Sequence, residues 1–125
     1  MQNLTGIDHP ALAADDLDSL SQWYCDTLGY SLFFEHPEKP VHILKAPDGT
    51  LFEMMQKDTT TRPKRQVLTP GWSHLALRVD NLEEAMQHLD GQQVRWLSEV
   101  VPAIGGGQLR SFADPEGNML QVVER

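Results

Sequence analysis

Apolar and polar residues alternate along several short segments of this chain, and two longer segments repeat apolar residues at helical spacing. Alternation predicts strands that are buried on one face, whereas a spacing of three to four residues predicts amphipathic helices. Strands are predicted at about 5–13, 30–36, 41–46 and 50–56, and again at about 72–79, 93–98, 108–113 and 118–124. One helix follows the first strand of each set, so the order in both halves is β-α-β-β-β.

Both predicted helices have a polar start, an apolar stripe and a glycine at the end. The capping residues are Asp15-Asp16 in the first helix and Asp80-Asn81 in the second. Gly29 is predicted to end the first helix, as a left-handed C-cap does, and Gly91 to end the second. The stripes consist of Leu17, Leu20, Tyr24 and Leu28 in the first helix and of Leu82, Ala85, Met86 and Leu89 in the second.

The two halves are copies of one module. Residues 6–22 align with residues 71–87 at an offset of 65 and share seven identities, among them His9 with His74. A second block, 47–54, aligns with 115–122 at an offset of 68. We therefore predict one α+β domain over residues 1–125, with modules at about 4–56 and 71–125 and a polar linker at about 57–70. Two one-helix modules each leave a sheet face open, so they can pair into a curved sheet around a shared cavity.

Composition narrows the classes of partner. The formal net charge is −8 and the pI about 4.9, which argues against nucleic acid and against an anionic membrane surface as partners. The N-terminus lacks a signal-peptide pattern, and no apolar run reaches the length of a membrane span. Cys25 is the one cysteine, so no disulfide forms within the chain. We expect a cytoplasmic protein.

Four residues of metal-ligand type occupy equivalent positions in the two modules: His9, Glu53, His74 and Gln121. If they face the cavity, strand alternation places the apolar side chains of Trp72, Met55 and Met119 beside them as candidate substrate contacts. Imidazole and oxygen donors suit a divalent transition metal such as Zn, Ni, Fe, Mn or Co. The competing interpretation is a set of inherited ligands in a domain that only binds small molecules.

Two further polar residues are equivalent at the offset of 68, His42 and Arg110, both on the third strand of a module. Either side chain could meet an anionic substrate. The competing interpretation places both at solvated strand edges.

These segments resemble a known superfamily. The openings "DHPAL…DDLDSLSQWYCDTLGY" and "SHLALRVDNLEEA" and the closing hairpins "PDGTLFEM" and "DPEGNMLQVVE" are similar to those of the vicinal-oxygen-chelate proteins, which include glyoxalases, extradiol dioxygenases and bleomycin-resistance proteins. The resemblance implies paired βαβββ modules around one metal, with ligands at His9, Glu53, His74 and Gln121. It also implies a homodimer. Gln121 departs from the glyoxalase-like pattern, in which a glutamate is usual at this position.

Three functions follow as hypotheses. The first is a metal-dependent lyase or isomerase of glyoxalase type, in which Glu53 moves a proton on a small substrate with vicinal oxygens. The second is an Fe(II)-dependent ring-cleaving dioxygenase that uses His9, His74 and Glu53. The third is a non-catalytic protein that binds or sequesters a small molecule such as a drug.

Overall fold

A computed structural model describes residues 3–125, and the chain divides into two compact units after Thr61. Each unit is an α+β module with the predicted element order, except that the second strand of unit 2 is split into two short pieces. The elements of unit 1 are β1 (Ala11–Ala14), α1 (Leu17–Leu28), β2 (Ser31–Glu35), β3 (Val41–Lys45) and β4 (Leu51–Gln56). Those of unit 2 are β5 (Leu75–Arg78), α2 (Leu82–Gly91), β6 (Arg95–Trp96), β7 (Val101–Pro102), β8 (Gln108–Ala113) and β9 (Met119–Glu124).

The sheet of unit 1 has the strand order β1-β4-β3-β2, with β1 parallel to β4 and the other pairs antiparallel. Side chains alternate between its faces. Leu44 of β3 and Met54 of β4 are fully buried on one face. Glu53, which directly precedes Met54 in β4, points to the opposite, partly exposed face. Helix α1 covers the first face with Leu20 and Tyr24, which are 1% exposed. The second face, which carries Glu53, is called the open face below.

Helix α1 begins and ends where the sequence predicts. The side chain of Asp16 accepts a hydrogen bond from the backbone N–H of Ser19, so one of the unpaired donors at the helix start is satisfied. Gly29 adopts the left-handed conformation with φ of 78°, and its N–H donates to the carbonyl of Tyr24. The predicted stripe is also confirmed, because Leu17, Leu20 and Tyr24 are buried.

Unit 2 repeats this arrangement with the strand order β5-β9-β8-β6, and β7 pairs with β8. Its core holds Phe112, Leu120 and Val122 beneath α2. The predicted strand 93–98 is reduced to Arg95–Trp96, and the short strand β7 follows at Val101–Pro102. Arg110 donates from Nε to the carbonyl of Ser98, and its guanidinium stacks 4.1 Å from the ring centroid of Trp96. These contacts hold the segment between β6 and β7 against β8.

The first strand of each module is shorter than predicted. Pairing in unit 1 starts at Ala11 opposite Glu53, because Pro10 has no N–H to donate and contributes only its carbonyl, which accepts from the Glu53 amide at 3.1 Å. Pairing in unit 2 starts at Leu75 opposite Leu120. His9 and His74 therefore lie just before β1 and β5 rather than within them.

The predicted end of α2 at Gly91 is confirmed, but its geometry differs from that of Gly29. Gly91 is the last residue of the helix, and it does not have a positive φ. Gln92 follows in the right-handed region, and the left-handed residue is Gln93, with φ of 59°. No helix within residues 3–125 is long and apolar enough to cross a membrane.

The two glycines provide a matched test of these helix ends. Gly29→Ala places a Cβ on a left-handed residue, so we expect unfolding free energy to fall by about 1 kcal/mol. Gly91→Ala places it on a helical residue with open space around it, so we expect a gain of about 0.5 kcal/mol. Urea unfolding of both variants measures the difference. Equal effects of the same sign would contradict the assignment of the two ends.

Candidate functional site

His9 lies between two carboxylates in unit 1. Its Nε2 is 3.1 Å from Oε2 of Glu53, and its Nδ1 is 2.7 Å from Oδ2 of Asp8. The parallel register of β1 and β4 produces the first contact, because Ala11 pairs with Glu53 and His9 lies two residues upstream of Ala11. The side chains of His9 and Glu53 are partly exposed, and that of Asp8 is 83% exposed.

The two carboxylates alter the protonation of the imidazole. The hydrogen bond that His9 donates to the Asp8 carboxylate raises the pKa of His9 above its usual value, and Glu53 contributes in the same direction. Desolvation has a smaller, opposing effect. With a carboxylate at each ring nitrogen, the ring binds either a second proton or a cation at Nε2. This geometry therefore favours positive charge between His9 and Glu53.

His74 shares one of these two contacts in unit 2, the one at Nδ1. Its Nδ1 is 2.9 Å from the hydroxyl oxygen of Ser73, and no protein partner contacts its Nε2 within residues 3–125. Gln121 pairs with Ala76, two residues beyond His74, as Glu53 pairs with Ala11. The amide nitrogen of Gln121 donates to Ser111 at 3.2 Å, so its carbonyl oxygen is the end that remains for a ligand.

The sequence interpretation did not identify Asp8 and Ser73. Both residues directly precede the histidine of their module, and they are equivalent at the offset of 65. Both contact the Nδ1 of that histidine, which leaves Nε2 available. A polar residue at the same place in both copies was the signal that could have identified them.

The spacing of the donors in unit 1 matches that of two ligands of one metal ion. Two ligand atoms bound at about 2.0–2.1 Å to one ion lie about 3 Å apart, and the His9–Glu53 separation of 3.1 Å agrees with this. A metal-bound histidine also usually donates its other N–H to a carboxylate, as His9 does to Asp8.

The same residues do not form a complete cage. Among residues 3–125 no three His, Cys, Asp or Glu side chains are grouped to hold a metal ion. Asp8 and Glu53 contact opposite nitrogens of His9, so the two carboxylates cannot share one ion with that ring. The donors present fit a partial ligand set that needs oxygen or nitrogen atoms from elsewhere.

Each of the three apolar residues predicted to contact the substrate lies two residues from one of these donors. Met55 is two residues from Glu53 on the open face of unit 1, and Met119 is two residues from Gln121 on the equivalent face of unit 2. Both are partly exposed. Trp72 lies before β5 with its side chain 96% exposed, two residues from His74.

The structure does not bring His42 and Arg110 to these donors. Because His42 pairs with Met54 rather than with Glu53, it lies on the helix-facing side, where its Nδ1 is 2.9 Å from the hydroxyl oxygen of buried Ser21. Arg110 pairs with Val122, and its guanidinium is likewise on the helix-facing side of unit 2. Neither residue occupies a solvated strand edge, so that interpretation was wrong, and contact with an anionic substrate stays a prediction.

The chain is similar to known proteins over its whole length. It is 28% identical over 130 residues to the uncharacterized protein YaeR of Escherichia coli, with 100% of each chain covered. A lactoylglutathione lyase from Agrobacterium tumefaciens has 20% identity and a TM-score of 0.73, covering 98% of this chain and 96% of its own. TnmS3, an antibiotic binding protein from Streptomyces sp. CB03234, has 16% identity and a TM-score of 0.76, covering 99% and 98%.

At these identities the two solved structures show a shared fold. The sequence itself is more specific. Residues 6–122 match the family description Glyoxalase/Bleomycin resistance protein/Dioxygenase superfamily, a range that spans most of both modules and all four predicted ligands. The tandem βαβββ units and the match along the chain agree, and the protein belongs to this superfamily.

Proposed function

We propose that the protein is a divalent-metal-dependent lyase or isomerase of glyoxalase type that acts on a small substrate with vicinal oxygens. The observation that supports this most is the Asp8–His9–Glu53 chain, in which Nε2 of His9 and Oε2 of Glu53 are spaced as two ligands of one ion. His74 and the carbonyl oxygen of Gln121 are the equivalent donors of unit 2. The cytoplasmic location and the homodimer stay predictions.

A bound divalent ion would act as a Lewis acid that lowers the pKa of a C–H bond beside a ligated carbonyl. The side chains near the ion then determine which group accepts the proton from that C–H bond. Glu53 is an ionisable carboxylate on the open face, and its contact with His9 fixes the orientation of one oxygen. Gln121 cannot act as a base near neutral pH because an amide has no basic group in that range. We therefore assign proton transfer to Glu53 alone.

The binding-protein hypothesis is the second candidate, and one specific observation favours it. Gln121 is an amide where glyoxalase-like relatives usually have a carboxylate, so the donor set has one negative charge fewer. The structural similarity to an antibiotic binding protein is consistent with that alternative. Turnover separates the two candidates, because a binding protein would hold a ligand without exchanging its protons.

Metal affinity tests the role of Asp8. Asp8→Ala removes the acceptor that orients the His9 ring, so we expect Ni²⁺ or Zn²⁺ affinity to fall by about ten- to a hundredfold. Isothermal titration calorimetry of metal-free protein measures the effect. Asp26→Ala, on the exposed face of α1, removes the same charge and is expected to bind metal as the native protein does. An unchanged affinity in Asp8→Ala would contradict the orienting role.

Proton exchange tests the role of Glu53. In D₂O the Ni²⁺-loaded protein is expected to incorporate deuterium beside the carbonyl of hydroxyacetone or of the methylglyoxal–glutathione hemithioacetal, followed by NMR. Glu53→Gln should slow the exchange by about a hundredfold or more, because the general base is lost. The fold should survive, since the side chain is outside the helix-facing core.

Two variants control this experiment. Gln121→Glu restores the carboxylate usual in glyoxalase-like relatives, and we expect its exchange rate to equal or exceed the native rate. Glu38→Gln removes the same charge as Glu53→Gln, but it does so in the turn between β2 and β3, and it should leave the exchange rate unchanged. Native-like exchange in Glu53→Gln would rule out its role as the base. Ligand binding without exchange in the native protein would favour the binding-protein hypothesis.

A further inference from the structure

A small depression lies on the open face of the unit 2 sheet, which is the face that carries Gln121. It has a volume of about 120 Å³ and is lined by Ala76, Arg78, Val123 and Arg125. Ala76 pairs with Gln121 and Arg78 pairs with Val123, so the depression begins beside the predicted ligand Gln121 and extends along the same face. Two of its four lining residues are arginines.

The two arginines have different surroundings. Arg125 donates through its guanidinium to the carbonyl oxygens of Ile104 and Gly106, so it anchors the loop between β7 and β8. The side chain of Arg78, whose backbone belongs to β5, makes no hydrogen bond or ion pair with any residue in the described range 3–125. Arg78 is therefore the side chain in the depression whose donors remain available to a ligand.

Comparison with unit 1 shows that the module does not need this charge to fold. The residue equivalent to Arg78 at the offset of 65 is Ala13, which pairs with Met55 in the same parallel register. The arginine also opposes the formal net charge of −8, so it places local positive potential on an acidic protein. A positive group at one of two otherwise equivalent positions indicates a task specific to the second module.

The spacing relates Arg78 to the donors of unit 2. Arg78 is two residues beyond Ala76, so at about 3.3 Å per residue its backbone is about 7 Å from the level of Gln121. We propose that Arg78 binds a carboxylate group of the substrate, at the end of that molecule remote from its vicinal oxygens. This inference rests on the proposed function, because it takes the vicinal oxygens to be held near Gln121.

The size and chemistry of the depression agree with such a group. Its volume of about 120 Å³ is below the roughly 300–1,000 Å³ of pockets that enclose a whole drug-sized ligand, and it suits a single charged group. A guanidinium presents two parallel N–H donors that match the two oxygens of a carboxylate. The adjoining side chains of Ala76 and Val123 are apolar and suit a short aliphatic linker.

A matched pair of hydroxamates tests the proposal. Glutaric acid monohydroxamate and pentanohydroxamic acid both offer two neighbouring oxygens to a metal, but only the first carries a carboxylate at the far end. Calorimetric titration of the Ni²⁺-loaded protein should give at least about tenfold tighter binding of the carboxylate probe, because hydrogen bonds to charged groups are the stronger class. Equal affinities would overturn the proposal.

Three variants identify the residue responsible. In Arg78→Gln the preference for the carboxylate probe should vanish while the affinity for pentanohydroxamic acid stays native. Arg78→Lys should retain part of the preference, since the charge remains but the paired donors are lost. Lys39→Gln removes one charge from the turn between β2 and β3 and should keep the full preference. A preference that survives in Arg78→Gln would overturn the proposal.

A second measurement separates this inference from the metal proposal. If neither hydroxamate binds, metal-dependent chelation has failed, and glutarate is titrated into metal-free protein while the arginine Nε–H signals are followed by NMR. A saturable shift of the Arg78 signal, absent in Arg78→Gln, would support the carboxylate site without the metal. No shift of that signal would overturn the site as well.

Discussion

Parallel pairing between the first and last strands of each module determines the position of every residue in the candidate site. Ala11 lies opposite Glu53 in unit 1, and Ala76 lies opposite Gln121 in unit 2. A shift of one residue in either pairing would turn the oxygen donor toward the helix-covered core, because successive side chains alternate between faces. The buried residues on each side of these donors, such as Met54 and Leu120, oppose such a shift.

The two modules share a backbone plan but differ in the charges on their open faces. Unit 1 places the carboxylates of Asp8 and Glu53 around His9. Unit 2 has Ser73 and Gln121 at the equivalent positions, and it adds Arg78. This divergence after duplication is consistent with different roles, in which unit 1 moves a proton and unit 2 binds the substrate.

Much of the fold could be predicted from the sequence because both of its periodic signals are local. Alternation located β3, β4, β8 and β9 to within about one residue, and the cap residues located both ends of α1. The end of α2 at Gly91 was also located, although the left-handed residue that follows this helix is Gln93 rather than a glycine. The strand predicted at 93–98 was located only in part, since its pairing with β8 is limited to Arg95–Trp96.

The candidate site was predicted in part for a related reason. Alternation within β4 showed that Glu53 and Met55 share a face, but it could not relate β4 to β3. That relation depends on the register, which pairs His42 with Met54 and so places His42 toward the helix. Asp8 and Ser73 were missed because a neighbour in sequence gives no periodic signal. Arg78 was missed because it has no counterpart in the first module.

Metal content measured by elemental analysis tests the central claim most directly. The protein would be prepared without chelators or a polyhistidine tag and then supplied with Ni, Zn, Fe, Mn or Co. The account predicts about one ion per chain, lost in His9→Ala and in His74→Ala and retained in His88→Ala, whose histidine lies on the exposed face of α2. No ion in the loaded native protein, or full retention in both His9→Ala and His74→Ala, would contradict it.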